Sequence, residues 1–263
     1  MKPWPVLNRI EREEFIMSEY IVGKNPVIEA IRSGRSINKI WIAEGSQKGV
    51  SGQVMALAKE AGVTVQIVPR KKLDQAAEGE SHQGVLAYIA AYDYAELEDI
   101  LARAEQKGES PFLVILDEIE DPHNLGSILR TADATGVHGV IIPKRRSAGL
   151  TSTVAKSSAG AIEYVPVARV TNLARTIDDL KERNIWVVGT DASGKEEFRE
   201  ARLDMGIALV IGSEGKGMSR LIREKCDFTV NLPMVGNVTS LNASVAGALL
   251  MYEVYRQRHP LSK

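Results

Sequence analysis

The chain has 263 residues, 44% of them hydrophobic and 25% charged, with a formal net charge of -1. That length supports one large domain or two unequal ones, and the balance is too apolar for wholesale disorder and too even for a uniformly cationic binder, so nucleic acid must be met by local basic patches. The single cysteine, Cys226, excludes an internal disulfide, the four histidines show no Cys/His spacing that would hold zinc, and no run approaches the roughly 20 apolar residues that cross a bilayer.

The N-terminus lacks the apolar core of a secretory signal, so the expected setting is the reducing cytoplasm, with no membrane and no structural metal. Residues 1–19 read as an extension: Pro3, Trp4, Pro5 and the charged run Glu11-Arg12-Glu13-Glu14 precede a second methionine, Met17. From 20 to 92 the pattern predicts a small α/β module. Asn25-Pro26 opens a helix that Gly34 closes, strands are expected at 37–43, 63–68 and 85–90, and helices near 53–61 and 71–77. Residues 93–110 are expected to be a charged, helix-favouring linker punctuated by Gly108 and Pro111.

Beyond Pro111 apolar strand candidates alternate with helical segments. Strands are predicted at 112–116, 139–142, 185–189, 208–211 and 228–232, and helices near 125–134, 173–183, 219–225 and 241–256. Continuous Val/Ile/Leu strands between helices imply a parallel sheet covered on both faces, with ligands at the loops leaving the carboxyl ends of its strands.

Three segments carry chemistry. The first runs from Asp117 to Asp133, where Pro122 and Asn124 announce a helix after a strand. Leu125, Ile128, Leu129 and Ala132 form its apolar stripe, and Ser127, Arg130 and Thr131 lie opposite. Taken alone, this is equally an ordinary amphipathic helix capped by Asn124. The second, Gly212-Ser213-Glu214-Gly215-Lys216-Gly217, is a glycine turn between a strand and a helix. Its spacing is neither the dinucleotide fingerprint nor a P-loop, and Glu214 would repel phosphate, so a neutral or cationic ligand suits it. In the third, Leu232 to Ala246, backbone groups around Leu232, Met234 and Leu241 suit an adenine edge, with Ser240 and Asn242 toward a reacting centre; the plainer alternative is a helix capped by Ser240 or Thr239.

In this order and spacing the three segments resemble the signature motifs of the SpoU/TrmH family of the SPOUT superfamily, whose members methylate RNA ribose 2'-hydroxyls with S-adenosylmethionine. The likeness is greatest to members that modify a guanosine of 23S ribosomal RNA. It implies a knotted catalytic domain over 111–263 with a C-terminal trefoil knot, a small substrate-binding domain over 20–92, and a homodimer whose active sites lie at the interface. By matching position it assigns Asn124, Arg130, Glu214, Ser240 and Asn242 to catalysis and Gly212, Leu232, Leu241, Met234 and Thr190 to the cofactor. The family's arginine is credited with activating the hydroxyl; a guanidinium stays protonated, which favours Arg130 as a positioning and charge-stabilising group.

Structured RNA is the expected partner, with candidate phosphate contacts at Lys144-Arg145-Arg146 and at Arg70-Lys71-Lys72 with Lys24, Arg32 and Arg35. Competing readings are a transfer-RNA ribose methyltransferase, an RNA-binding protein with a degenerate site, and a dinucleotide oxidoreductase, the last disfavoured by the missing fingerprint.

Overall fold

The computed structural model describes residues 20–261 apart from 47, 78–80, 91, 195 and 238–239. The expected extension at 1–19 and the alternative cap Thr239 lie outside the described residues. The chain divides into two compact units, the first ending at Asp93 and also taking in Gly149–Ser152, the second holding the rest from Tyr94.

The first unit holds β1 (Tyr20–Val22), α1 (Lys24–Arg32), β2 (Ile37–Ala43), α2 (Lys48–Glu60), β3 (Val65–Val68), α3 (Arg70–Ala76) and β4 (Val85–Ile89). Its sheet runs β1-β4-β2-β3, with β3 parallel to β2 and β4 antiparallel to both its neighbours. Strand alternation sorts the side chains. Ile40, Ile42, Val85 and Ala87 pack on one face with Val27, Ile28 and Ile31 of α1 and Val54 and Ala58 of α2, while Trp41, Ala43 and Leu86 face the other way with Val68, Leu73 and Ala77. The three-residue β1 was not expected; it is too short to show a period.

The second unit begins with α4 (Leu97–Lys107) and continues through β5 (Phe112–Asp117), α5 (Pro122–Ala134), β6 (Gly139–Pro143), α6 (Ser152–Ser157), a 3-10 turn (Ala161–Glu163), β7 (Val167–Val170), α7 (Leu173–Glu182) and β8 (Trp186–Thr190). It ends with β9 (Glu196–Glu197), β10 (Ile207–Gly212), α8 (Arg220–Lys225), β11 (Phe228–Asn231) and α9 (Ala243–Arg258). Seven strands run in the order β7-β6-β5-β10-β8-β11-β9, every named pair parallel. β5 and β10 are buried throughout, as their unbroken apolar runs predict. The fold is therefore α/β with a parallel sheet, as expected.

The segment 93–110 is not a linker. Glu96 and Asp99 form a capping box at the start of α4 and Gly108 ends it in the left-handed conformation. Ile100 and Ala104 are fully buried, Ile100 in a cluster with Leu113, Ile115 and Ile141. A Cβ at Gly139 would fall 2.6 Å from the Ile100 side chain, so strand and helix are fitted to each other. The charged face of α4 had hidden this short apolar stripe.

Two further expectations change at helix starts. Asp121, not Asn124, caps α5: its carboxylate accepts the His123 N–H at 2.9 Å, with Pro122 in the first turn. α9 begins at Ala243 because Asn242 is its cap. α9 packs against α5 and β10 through Ala243, Gly247, Leu250, Met251 and Val254. Among the described residues no helix is long and apolar enough to cross a membrane.

Candidate active site

A cavity of about 450 Å³ opens where β8, β10 and β11 end, the position a parallel sheet reserves for ligands. Its wall joins Thr190 to Ser193 after β8, Gly212 to Gly217 after β10, Leu232 and Met234 after β11, and Ser240, Leu241, Ala243 and Ala246 at the start of α9. All five residues expected to hold the cofactor, Thr190, Gly212, Leu232, Met234 and Leu241, line it.

The glycine turn owes its shape to contacts that exclude a side chain. A Cβ on Gly212 would lie 2.2 Å from the carbonyl carbon of Gly217 and from the amide nitrogen of Met218, both of them backbone. The turn closes through Gly217 N–H to Ser213 C=O at 2.8 Å and Ser213 N–H to Gly217 C=O at 3.1 Å, with Gly215 and Gly217 at positive φ. Asp117, buried at the end of β5, accepts the Ser219 N–H at 2.6 Å and anchors the exit of the turn.

Glu214 stands on this turn and gathers two residues from distant segments. Its Oε1 accepts the side-chain amide of Asn124 at 2.8 Å, the side-chain amide of Asn242, and the Ala243 N–H at 3.4 Å. Asn242 also donates to Asn124 Oδ1 at 2.9 Å. Three of the expected catalytic residues thus form one hydrogen-bonded group. Ser240 lines the cavity and is exposed. Arg130 is exposed on α5, does not line the cavity, and among the described residues makes no hydrogen bond or ion pair, so it stands outside the group.

Sequence reasoning missed Asp191 and Arg223 in the cavity wall. Asp191 is nearly buried, pairs with Arg223 at 2.7 Å and accepts the Ser193 N–H and hydroxyl at 2.9 and 2.8 Å. The signal was one residue past Thr190 at a strand end. Cys226, partly buried behind Gly189, has its thiol pushed up to about 12 by desolvation and by Asp227, so it is a poor nucleophile at neutral pH. Of the basic run at 144–146, Arg146 is engaged with Glu118.

The wall suits S-adenosylmethionine. Glycines open space for a flat ring against backbone, and the Glu214 carboxylate suits a ligand bearing a positive centre, Asp191 being paired with Arg223.

Residues 111–252 match the model of the SpoU rRNA Methylase family, and residues 20–95 match that of RNA 2'-O ribose methyltransferase substrate binding. A Bacillus subtilis (strain 168) protein named as a TrmH family tRNA/rRNA methyltransferase is 64% identical over 245 residues, 93% of this chain and 98% of its own length. Among solved structures, the SpoU methyltransferase AviRb from Streptomyces viridochromogenes in complex with AdoMet aligns with a TM-score of 0.58 at 26% identity, over 95% of this chain and 94% of that one. The AdoMet-bound rRNA methyltransferase from Sinorhizobium meliloti aligns with a TM-score of 0.55 at 26% identity, over 97% and 92%.

Proposed function

Because the chain belongs to the SpoU rRNA methylase family, and so is an RNA methyltransferase that uses S-adenosylmethionine, we propose that it methylates the ribose 2'-hydroxyl of a guanosine in 23S ribosomal RNA in the cytoplasm. The observation that carries the ribose assignment is the Asn124–Glu214–Asn242 group at the mouth of the glycine-walled cavity.

A ribose hydroxyl is a weak nucleophile at neutral pH, so the site must align it and favour the developing alkoxide. When bound, the cofactor supplies a methyl already activated on a sulfonium. Gly212, Leu232, Met234, Leu241 and Thr190 hold it by backbone and apolar contact. Glu214, fixed by two amides and a helix N–H, keeps one carboxylate oxygen for a ribose hydroxyl or a guanidinium. Arg130 orients the ribose and stabilises its oxygen charge while keeping its own proton, the hydroxyl proton passes to the free carboxylate oxygen of Glu214, and Ser240 hydrogen-bonds the sugar.

The uncommitted Arg130 supports a homodimer in which a second subunit completes each site. α9 supports it too: Val245, Leu249 and Tyr252 recur on one side at helical spacing and stay 43–52% exposed, an apolar stripe opposite the buried one. The C-terminal trefoil knot that the family resemblance implies belongs to the same reading. The proposed substrate-binding domain is the first unit, 20–92, and the catalytic domain is 111–263 together with α4.

The test is to incubate the protein with labelled S-adenosylmethionine and either large-subunit RNA or unmodified transfer RNA, then identify the labelled nucleoside. Label in 2'-O-methylguanosine from large-subunit RNA is expected. Label mainly in transfer RNA, or on a base, rejects the assignment.

A further inference from the structure

The first unit brings two lysines onto the aromatic rings of its second core face. On the sheet face opposite α1 and α2, Trp41 of β2 and Tyr88 of β4 meet edge to face, with ring centroids 4.8 Å apart at 73°. The Trp41 indole N–H donates to Gln66 Oε1 at 2.9 Å, which fixes the ring. The Lys39 ammonium sits in the corner between the rings, 4.7 Å from the Tyr88 centroid and 5.1 Å from that of Trp41. The Lys72 ammonium, from α3, lies 4.5 Å from the same Trp41 centroid. Among the described residues neither lysine has a carboxylate partner.

That arrangement is unusual for two surface lysines. A carboxylate would neutralise an ammonium as it held it, whereas a ring face holds it by its quadrupole and leaves the charge whole. Two whole charges are thereby brought to one indole from different elements, although they repel. Burial, then the charge of Lys72, pulls the Lys39 ammonium below its usual value, so the free protein carries an unfavourable pair that an anion would relieve. The nearby carboxylate of α3, Asp74, is turned to His82 at 2.8 Å and does not compete. The helix continues the positive charge through Arg70 and Lys71.

We propose that Lys39 and Lys72, seated on Trp41 and Tyr88, form a phosphate-binding platform for the backbone of the RNA substrate, remote in sequence from the methyl-transfer site. The occupant is a polyanion because two uncompensated cations face it, and Arg70 and Lys71 at the start of α3 add to the positive field around them. The platform reads no base, so it adds affinity and register to whichever RNA the enzyme modifies. Of the six basic residues expected to mark this domain, the structure selects Lys72 and pairs it with Lys39, which the sequence did not single out. Arg32, by contrast, is engaged with Glu29.

This inference rests on the reading that the chain acts on RNA, and the experiment separates the two. Binding of the full-length protein to a large-subunit RNA transcript is measured over a range of salt concentrations for wild type, for Lys39→Gln with Lys72→Gln, for Lys39→Arg with Lys72→Arg, and for a control losing two exposed charges elsewhere, Lys59→Gln with Lys107→Gln. The glutamine pair should lower the slope of log affinity against log salt by about one per lysine and weaken binding roughly tenfold or more at low salt. The arginine pair should restore both, the control should change neither, and affinity for S-adenosylmethionine should stay the same throughout. RNA should also shield Lys39 and Lys72 from acetylation. An unchanged slope in the glutamine pair, or an equal loss in the control, overturns the platform even if the wild type methylates RNA normally. If no RNA accepts label but the slope still depends on these two lysines, the methylation reading fails and the platform stands.

Discussion

The side-chain amide of Asn242 donates to the Glu214 carboxylate while the carbonyl oxygen of the same side chain caps α9. That oxygen accepts the N–H groups of Ser244 at 3.0 Å and Val245 at 3.3 Å. Helix start and proposed reaction site therefore meet in one residue: the cap fixes the rotamer, and the fixed rotamer aims the amide at Glu214 and Asn124.

This double duty is separable by substitution. Asn242→Ala loses both bonds and should cost about 1 kcal/mol of stability as well as most methyl transfer. Asn242→Asp keeps the cap but sets a second carboxylate against Glu214, so transfer should fall at neutral pH and recover in part as the pH is lowered, when one acid of the pair takes a proton and can donate again. Denaturant unfolding and single-turnover rates across pH check both. Near wild-type transfer by the Asp variant would remove Asn242 from the site.

Gly212→Ala should lower S-adenosylmethionine affinity at least tenfold while the fold survives, because the added methyl meets the backbone of Gly217 and Met218 and not a side chain that can swing aside. Calorimetry with circular dichroism as a fold check reads the result. Unaltered affinity would mean that the turn can open freely and that its closeness does not shape the cavity.

Much of the fold was legible because its strands are uniform. Phe112 to Leu116 and Ala208 to Ile211 are continuous apolar runs, and only a strand buried on both faces needs such a run. β9 was not legible, since Glu196 and Glu197 carry no apolar signal and pair only at the sheet edge. β7 was missed because Arg169 interrupts the apolar run of Val167 to Val170. Of the site, the cavity residues could be placed because each follows a strand end. The grouping of Asn124 with Glu214 and Asn242 could not, because partners 90 and 118 residues apart leave no trace in local periodicity. It came from family resemblance alone.

Arg130→Ala should abolish methyl transfer and leave cofactor affinity within a few fold, since Arg130 lies outside the cavity wall. Mixing this variant with a second inactive subunit, Glu214→Ala, should restore some activity if each site draws on two chains. Absence of rescue in verified mixed dimers would place Arg130 in the same subunit's site, and transfer by the Arg130 variant alone at the normal rate would dismiss it from catalysis.

Cys226 should resist thiol reagents in the folded protein and react fully once denaturant is added. Its pKa is raised from 9.0 to about 12, so its contribution to stability is whole below about pH 9 and declines above that, as the unfolded chain ionises while the folded one does not. Alkylation followed by mass spectrometry decides it. Rapid labelling at neutral pH would show that the region behind Gly189 opens readily.

The last expectation concerns where the catalytic unit begins. A chain starting at Pro111 would match the family model's start, but it would lack α4, and with it the buried Ala104 and the Ile100 side chain that packs with Leu113, Ile115 and Ile141. The bare surface would include the strand at Gly139, which has no side chain of its own to fill the space. Losing a single buried isoleucine from a core costs about 2–5 kcal/mol, and the helix supplies more than that one residue. A chain starting at Tyr94 should therefore fold, form dimers and bind S-adenosylmethionine like the full protein, whereas one starting at Pro111 should unfold at much lower denaturant or aggregate. Ile100→Ala in the full chain should reproduce part of the loss without touching the cavity. Equal stability of the two truncated chains would return residues 93–110 to the role of a linker.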